Sequence, residues 1–249
     1  SAAHVARFHQ DGFLSIHNAF QPSEVAGAID GLIDLLDGRY PGYRGVQFEK
    51  QARAAAAALP GERKQDAVRK LWKMVAFEPR IAALAAHPRL VALVETLIGE
   101  TAELFQDQAL LKPPLIGREK PWHQDNAYFN LPAETPVIGV WIALDEALPE
   151  NGCMYVVPGS HQAGPVVHWK RRDWQICDTD VAATDALTVP LPPGGALIFH
   201  GLLHHGTPPS HSNRRRRALQ FHYKPRSAPS IEGEQRLAVF GSEGKNVTC

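Results

Sequence analysis

The sequence predicts an α+β domain built around antiparallel sheets. Helical spacing of apolar residues dominates residues 1 to about 100, whereas from about 101 to 240 short β-branched and aromatic runs alternate with Pro and Gly turns. Across 249 residues there is no repeat, low-complexity linker or break in composition, so the expectation is one domain, 1–249.

The helical part opens with Val5-Ala-Arg-Phe-His, broken by Asp11-Gly12 before a brief apolar run, Phe13-Leu-Ser-Ile. Pro22-Ser-Glu-Val starts a helix on which Val25, Ile29, Leu32, Ile33 and Leu36 recur at helical spacing, stopped at Gly38. The Ala-rich stretch 51–59 reads as helical, and Val68, Leu71, Trp72 and Val75 give a further helical face. Two more helices are expected around Arg80–Ala86 and Pro88–Ile98, the second ended by Gly99. Strands are expected at Val137-Ile-Gly-Val-Trp-Ile-Ala-Leu, Met154-Tyr-Val-Val, Ala196-Leu-Ile-Phe and Ala218-Leu-Gln-Phe-His-Tyr.

Lys plus Arg equals Asp plus Glu at 26 each. That balance gives no global field for nucleic acid or an anionic membrane, so any recognition of a charged ligand has to be local. No stretch approaches the ~20 apolar residues of a bilayer span, and Ser1-Ala-Ala-His-Val-Ala-Arg lacks the apolar centre of a secretory signal. Cys153, Cys177 and Cys249 are too unevenly spaced for a disulfide framework or a zinc site, which makes a reducing cytoplasm the expected setting. Asn246-Val-Thr fits the glycosylation pattern, a short match that arises by chance.

Chemistry concentrates in Pro121-Trp-His123-Gln-Asp125-Asn-Ala-Tyr-Phe. In an extended strand residues i and i+2 share a face, so His123 and Asp125 can present an imidazole nitrogen and a carboxylate oxygen to one ion. A third ligand from a neighbouring strand would give two His and one carboxylate, the set that leaves open positions on non-haem iron(II). His-x-Asp alone is weak evidence: His9-Gln10-Asp11 repeats it at a helix end before Gly12, where Asp11 reads as the start of a turn. The later segment Gly194-Gly-Ala-Leu-Ile-Phe-His200-Gly-Leu-Leu-His204-His205-Gly206 and the basic strand Arg214-Arg-Arg-Arg217-Ala-Leu supply distal His candidates and a cation.

These motifs, with Phe8-His-Gln-Asp-Gly-Phe-Leu, Leu111-Lys-Pro-Pro, Gly139-Val-Trp-Ile-Ala-Leu-Asp, Glu150-Asn-Gly-Cys-Met and Pro158-Gly-Ser-His in the same order, resemble the phytanoyl-CoA dioxygenase family over most of the chain. The resemblance implies a double-stranded β-helix (jelly-roll, cupin-like) core over about 101–240, flanked by the helical N-terminal part, about 1–100. It implies iron(II), 2-oxoglutarate as cosubstrate and O2, with ascorbate a candidate stimulant, and hydroxylation of a small molecule with release of succinate and CO2. His123 and Asp125 match the family's proximal ligands and His205 the distal one. His204 is the competing candidate, since adjacent strand residues face opposite ways. Arg216 matches the 2-oxoglutarate-binding arginine, and alternation puts Arg216, Ala218, Gln220 and His222 on one face. Arg214 and Arg215 read as a solvated turn.

Trp141 matches a Trp lining the cosubstrate pocket, and Lys112 is a further candidate there, on the strand that also carries Gln108. Tyr128 falls on the far face from the ligands unless the following loop returns it. His4, His9, His17, His87, His168 and His211 read as turn or helix-end residues, His161 as a turn stabiliser and His200 as structural. His222 is a candidate pocket residue. The carboxylate of Asp125 favours hydroxylation over halogenation, because halogenating relatives replace it with a small residue. A catalytically silent jelly-roll binding protein and a cupin-type iron dioxygenase that does not use 2-oxoglutarate are the alternatives. Lys112, Arg118, Lys120 and Lys170-Arg-Arg172 stand where they could flank the barrel mouth, and Trp169 to Asp180 could form a lid. The expected partner is a small-molecule substrate, with no nucleic acid and no membrane.

Overall fold

The computed structural model describes residues 1–56 and 58–241; Asn246 and Cys249 lie outside the described residues. Its α-helices are α1 (Ala2–Asp11), α2 (Pro22–Leu36), α3 (Arg53–Ala56), α4 (Gly61–Lys64), α5 (Pro79–Ala85), α6 (Pro88–Ile98) and α7 (Gly233–Phe240). The strands before the metal motif are β1 (Phe13–Ile16), β2 (Val46–Phe48), β3 (Val68–Trp72) and β4 (Ala102–Lys112). Then come β5 (Lys120–His123), β6 (Ile138–Ala143), β7 (Met154–Val156), β8 (His168–Lys170) and β9 (Trp174–Ile176). The last are β10 (Leu187–Val189), β11 (Ala196–His200), β12 (His205–Thr207) and β13 (Arg216–Pro225).

Two antiparallel sheets form the core. The larger runs β1-β11-β6-β13-β4-β3-β2 and the smaller β10-β7-β12-β5, and among the described residues no ladder joins them, so the barrel is not closed. Alternation decides what each face of the large sheet does. Leu71, Leu111, Val140, Ile142, Ile198, Leu219 and Phe221 point outward and pack with Leu32 of α2, Ile81 of α5 and Val94 of α6. Trp141, Ala143, Leu197, Phe199 and Ala218 point inward and meet Met154 and Val156 of β7 and Val189 of β10. Helix α2 begins as its sequence predicts, with Pro22 in the first turn and Glu24 accepting the Gln21 N–H at 2.7 Å.

The first hundred residues are less helical than expected. Val68, Leu71 and Trp72 belong to strand β3, which pairs with β4 through Lys70↔Leu110 and Trp72↔Gln108. Five residues are too few to separate a period of 2 from one of 3.6, and the open edge of β4 settled the matter. β1 and β2 also join the large sheet, so it draws strands from both parts of the chain. In the Ala-rich stretch only Arg53–Ala56 is an α-helix among the described residues. Cys153 is free and buried, while Cys177 is disulfide-bonded, a cross-link the spacing did not announce.

One glycine matters to the inner face. Gly139 on β6 lies opposite Phe199 on β11, and a Cβ there would stand 2.3 Å from Phe199 Cζ. The ring fills the space a side chain would take there and also meets the His205 imidazole, 4.7 Å between centroids and tilted by 56°. Gly139→Ala is expected to lower unfolding free energy by about 1–3 kcal/mol through overpacking, measured by urea denaturation. An unchanged midpoint would show that the ring has room to move.

Candidate metal centre

Strands β5 and β12 pair antiparallel with His123 directly opposite His205. His123 ends its strand; Gln124 is still extended, at φ −110° and ψ 134°, and Asp125 opens a 3-10 turn, Asp125–Tyr128. The i, i+2 projection therefore survives through one extended residue, although the strand expected to carry Asp125 stops short of it. His123, Asp125 and His205 are all buried and each offers a ligand atom within 4.8 Å of the other two. His204 is outside this group; its Nε2 is buried without a hydrogen-bond partner among the described residues.

Each imidazole is set by a main-chain carbonyl. His123 Nδ1 lies 2.8 Å from the Pro121 oxygen and His205 Nδ1 2.9 Å from the Leu203 oxygen. A ring nitrogen facing a carbonyl must carry the proton, so both Nε2 lone pairs point inward, 3.4 Å and 3.6 Å from Asp125 Oδ1. Burial pushes the His205 pKa down to about 3 and His123 pushes the same way, which keeps the ring neutral and able to ligate. Asp125 is the reverse case. Burial opposes its charge, but its imidazole neighbours, His222 among them as a hydrogen-bond donor, outweigh it and hold the carboxyl well below the usual range.

The sequence did not reveal how Asp125 is held. Gln220 Nε2 donates to Asp125 Oδ2 at 3.0 Å and His222 Nε2 to the same oxygen at 2.7 Å. One carboxylate oxygen is thus occupied by β13 while the other faces the two imidazoles. Alternation had already placed Gln220 and His222 on the Arg216 face, which was the available signal. What it lacked was the position of Asp125 across the cavity.

A cavity of about 820 Å³ contains all three ligands, and Lys112, Gln108, Met154, Arg216 and Gln220 line it too. Arg216 and Lys112 are register partners on β13 and β4 and are buried side by side. Arg216 donates from Nη1 to the Leu110 carbonyl at 2.9 Å, its Nε has no partner, and no carboxylate pairs with it among the described residues. Burial pushes its pKa down to about 10. Lys112 Nζ donates to the Arg118 carbonyl at 2.5 Å, and burial, then the Arg216 charge, lowers its pKa well below the usual range. Gly152, at φ +88°, makes room for that side chain, since a Cβ there would lie 2.4 Å from Lys112 Cδ. The Arg216 guanidinium stacks 5.4 Å from the Trp141 ring, whose Nε1 is also buried without a partner among the described residues.

The remaining candidates sort plainly. Arg214 pairs with Glu146, and Arg215 with Glu62 and Asp66, away from the cavity. Asp11 of the decoy tripeptide pairs with Arg7 within α1. Tyr128 is returned by the 3-10 turn, edge-on to His123 at 5.7 Å, and its hydroxyl meets Lys120 Nζ and the Trp174 carbonyl. The stretch read as a lid contains the β8–β9 hairpin, fixed by Trp174 against Tyr128 and by Asp173 on Lys120. His168, read as a turn residue, is fully buried on β8.

The family model for phytanoyl-CoA dioxygenase matches residues 8–218. Phytanoyl-CoA dioxygenase domain-containing protein 1 of Mus musculus is 31% identical over 155 residues, 59% of this chain and 53% of its own length. The chain thus spans about half the length of several curated relatives it matches. Ectoine dioxygenase of Sphingopyxis alaskensis is 26% identical over 226 residues, covering 83% of this chain and 70% of that protein. The crystal structure of EctD from S. alaskensis with 2-oxoglutarate and 5-hydroxyectoine superposes with a TM-score of 0.77 at 24% identity, covering 98% of this chain and 80% of that one. The likeness establishes the cupin-like fold of that structure for this chain.

His168 makes the region below the ligands sensitive to acid. Its Nε2 accepts the Gln124 N–H at 3.0 Å and its Nδ1 meets the Val166 carbonyl at 2.7 Å, so the ring has to be neutral. Burial pushes its pKa down to about 3. An unfolded histidine titrates near 6.5, so the stability this ring contributes is complete above about pH 6.5 and is lost as pH falls toward 3. Urea unfolding of the metal-free protein is expected to lose stability across that window. His168→Gln should be less stable at neutral pH and show a shallower slope; a slope equal to wild type would assign the loss elsewhere.

Proposed function

The chain belongs to the phytanoyl-CoA dioxygenase family, and from that we propose that it is an iron(II)- and 2-oxoglutarate-dependent dioxygenase that hydroxylates a C–H bond of a small-molecule substrate. One observation carries the reading. Within a single cavity, two inward imidazole lone pairs and a carboxylate oxygen converge, beside a buried arginine with no carboxylate partner among the described residues. The donor set suits iron(II): two imidazole nitrogens and one carboxylate oxygen would leave room for exogenous ligands. The orphaned Arg216 Nε suits an incoming carboxylate, which a guanidinium binds as a fork.

In this reading His123 Nε2, Asp125 Oδ1 and His205 Nε2 hold the metal. Bound iron with 2-oxoglutarate and O2 supplies the oxidising chemistry, in which the cosubstrate becomes succinate and CO2 and a substrate C–H bond is hydroxylated. Gln220 and His222 keep Asp125 Oδ2 occupied, so Oδ1 is the oxygen that would hold the metal. Arg216 grips the distal carboxylate of 2-oxoglutarate; Lys112 stands beside it as a second N–H donor and Trp141 backs the guanidinium. Asp125 fills the position that halogenating relatives leave open, which supports hydroxylation.

Anaerobic addition of iron(II) and 2-oxoglutarate is expected to give a weak visible charge-transfer band, absent in His123→Ala. In Arg216→Ala the 2-oxoglutarate concentration needed to develop the band should rise by about 30-fold or more, the cost of truncating one side of a buried charge pair. No band in the intact protein would sink the assignment, and release of succinate under O2 would complete it.

A further inference from the structure

The cavity wall is far more basic than the chain as a whole. Eight Lys and Arg side chains line it against three carboxylates, whereas formal net charge over the chain is +0. Most of these cations are already accounted for. Arg69 and Arg118 share Glu49. Lys120 pairs with Asp173, and Arg172 with Glu119 and Asp178. Arg216 and Lys112 face the cosubstrate in the reading above, and Lys50 stands exposed.

Lys70 remains. It is half-buried on β3, opposite Leu110 of β4, which is in turn opposite Ala218 of β13, so its side chain lies on the inner face of the large sheet. Its ammonium has no hydrogen bond or ion pair among the described residues. Burial, then Lys120, lowers its pKa, while Asp125 and Asp173 act the other way. The residue also stands where two spaces meet. It lines the metal cavity and an outer cavity of about 1320 Å³ with Phe48, Trp72, Phe105 and Leu131 in its walls. A half-buried ammonium without a counter-ion beside a metal site is costly unless a ligand completes it.

We propose that Lys70 is the substrate's anion anchor, and that the primary substrate is an organic acid whose carboxylate, phosphate or sulfate sits on this ammonium with its reactive carbon toward the His123–Asp125–His205 face. The proposal rests on the dioxygenase reading and names the substrate class of the same site. A substrate without an acid group would leave the ammonium uncompensated.

Calorimetric titration of the anaerobic protein, loaded with iron(II) and 2-oxoglutarate, with acetate, inorganic phosphate and sulfate at fixed ionic strength tests it. At least one anion is expected to bind, about tenfold or more weakly in Lys70→Met, the loss of one charge-assisted hydrogen bond. Lys70→Arg, which keeps the charge, should stay near wild type. The anion that binds tightest identifies the acid group. Equal affinity in wild type and Lys70→Met, or no binding of any of the three, overturns the proposal. The charge-transfer band separates the two claims: a normal band without Lys70-dependent binding defeats the anchor alone. If the band is absent, the dioxygenase reading fails, and the same titrations on metal-free protein still decide whether Lys70 holds an anion.

Discussion

His123 and His205 each spend a ring N–H on the carbonyl two residues earlier, and Asp125 gives one oxygen to Gln220 and His222. Those four contacts leave three lone-pair-bearing atoms, all buried, within 4.8 Å of one another. The fold serves that constraint. β5 and β12 bring the two imidazoles into register, and the inner face of β13 carries Arg216, Ala218, Gln220 and His222 past them. β13 can do so because it lies between β4 and β6, hydrogen-bonded on both edges. A strand held on both sides has little freedom to shift register, so a guanidinium at one end and a carboxylate clamp nearer the middle keep a fixed separation.

The second organising feature is where charge is left over. Zero net charge over the chain conceals a cavity wall rich in cations, and the ion pairs on Glu49, Asp173, Glu119 and Asp178 balance Arg69, Arg118, Lys120 and Arg172 at its rim. Inside, Arg216 and Lys112 sit together with no carboxylate paired to either among the described residues, an arrangement that favours an anion between them. Their closeness is possible because Gly152 lets the lysine stem pass and Trp141 offers a flat face to the guanidinium.

How far this could be read from sequence depended on how local each signal was. Period-2 alternation in Arg216-Arg-Ala-Leu-Gln-Phe-His-Tyr separated pocket from core face, and the structure distributes those side chains in that way. Turn chemistry found α2, α5 and α6 because Pro and Gly punctuate them locally. The strand Val68–Trp72 was read as helix because its apolar spacing suits both periods, and only the edge of β4, supplied by residues about forty positions later, decides. Lys70 was invisible for the same reason. The clamp on Asp125 joins residues far apart in the chain, and nothing in either segment alone announces it. His168 was taken for a turn residue because its burial is created by a hairpin that packs on Tyr128 and Lys120.

The placement of β5 has a mechanical consequence. It is the last strand of the four-stranded sheet, so β12 is its sole ladder partner among the described residues, and its far end carries His123. An ion shared by His123 and His205 would act as a rivet across that seam, closing a long loop of chain at a point where backbone pairing is one-sided. Loading the metal should then stiffen the seam as well as equip it for chemistry: slower amide exchange along β5 and β12, and a melting temperature that rises with metal concentration as mass action requires. The same rivet would anchor the 3-10 turn bearing Tyr128, and through it the hairpin at the cavity's edge.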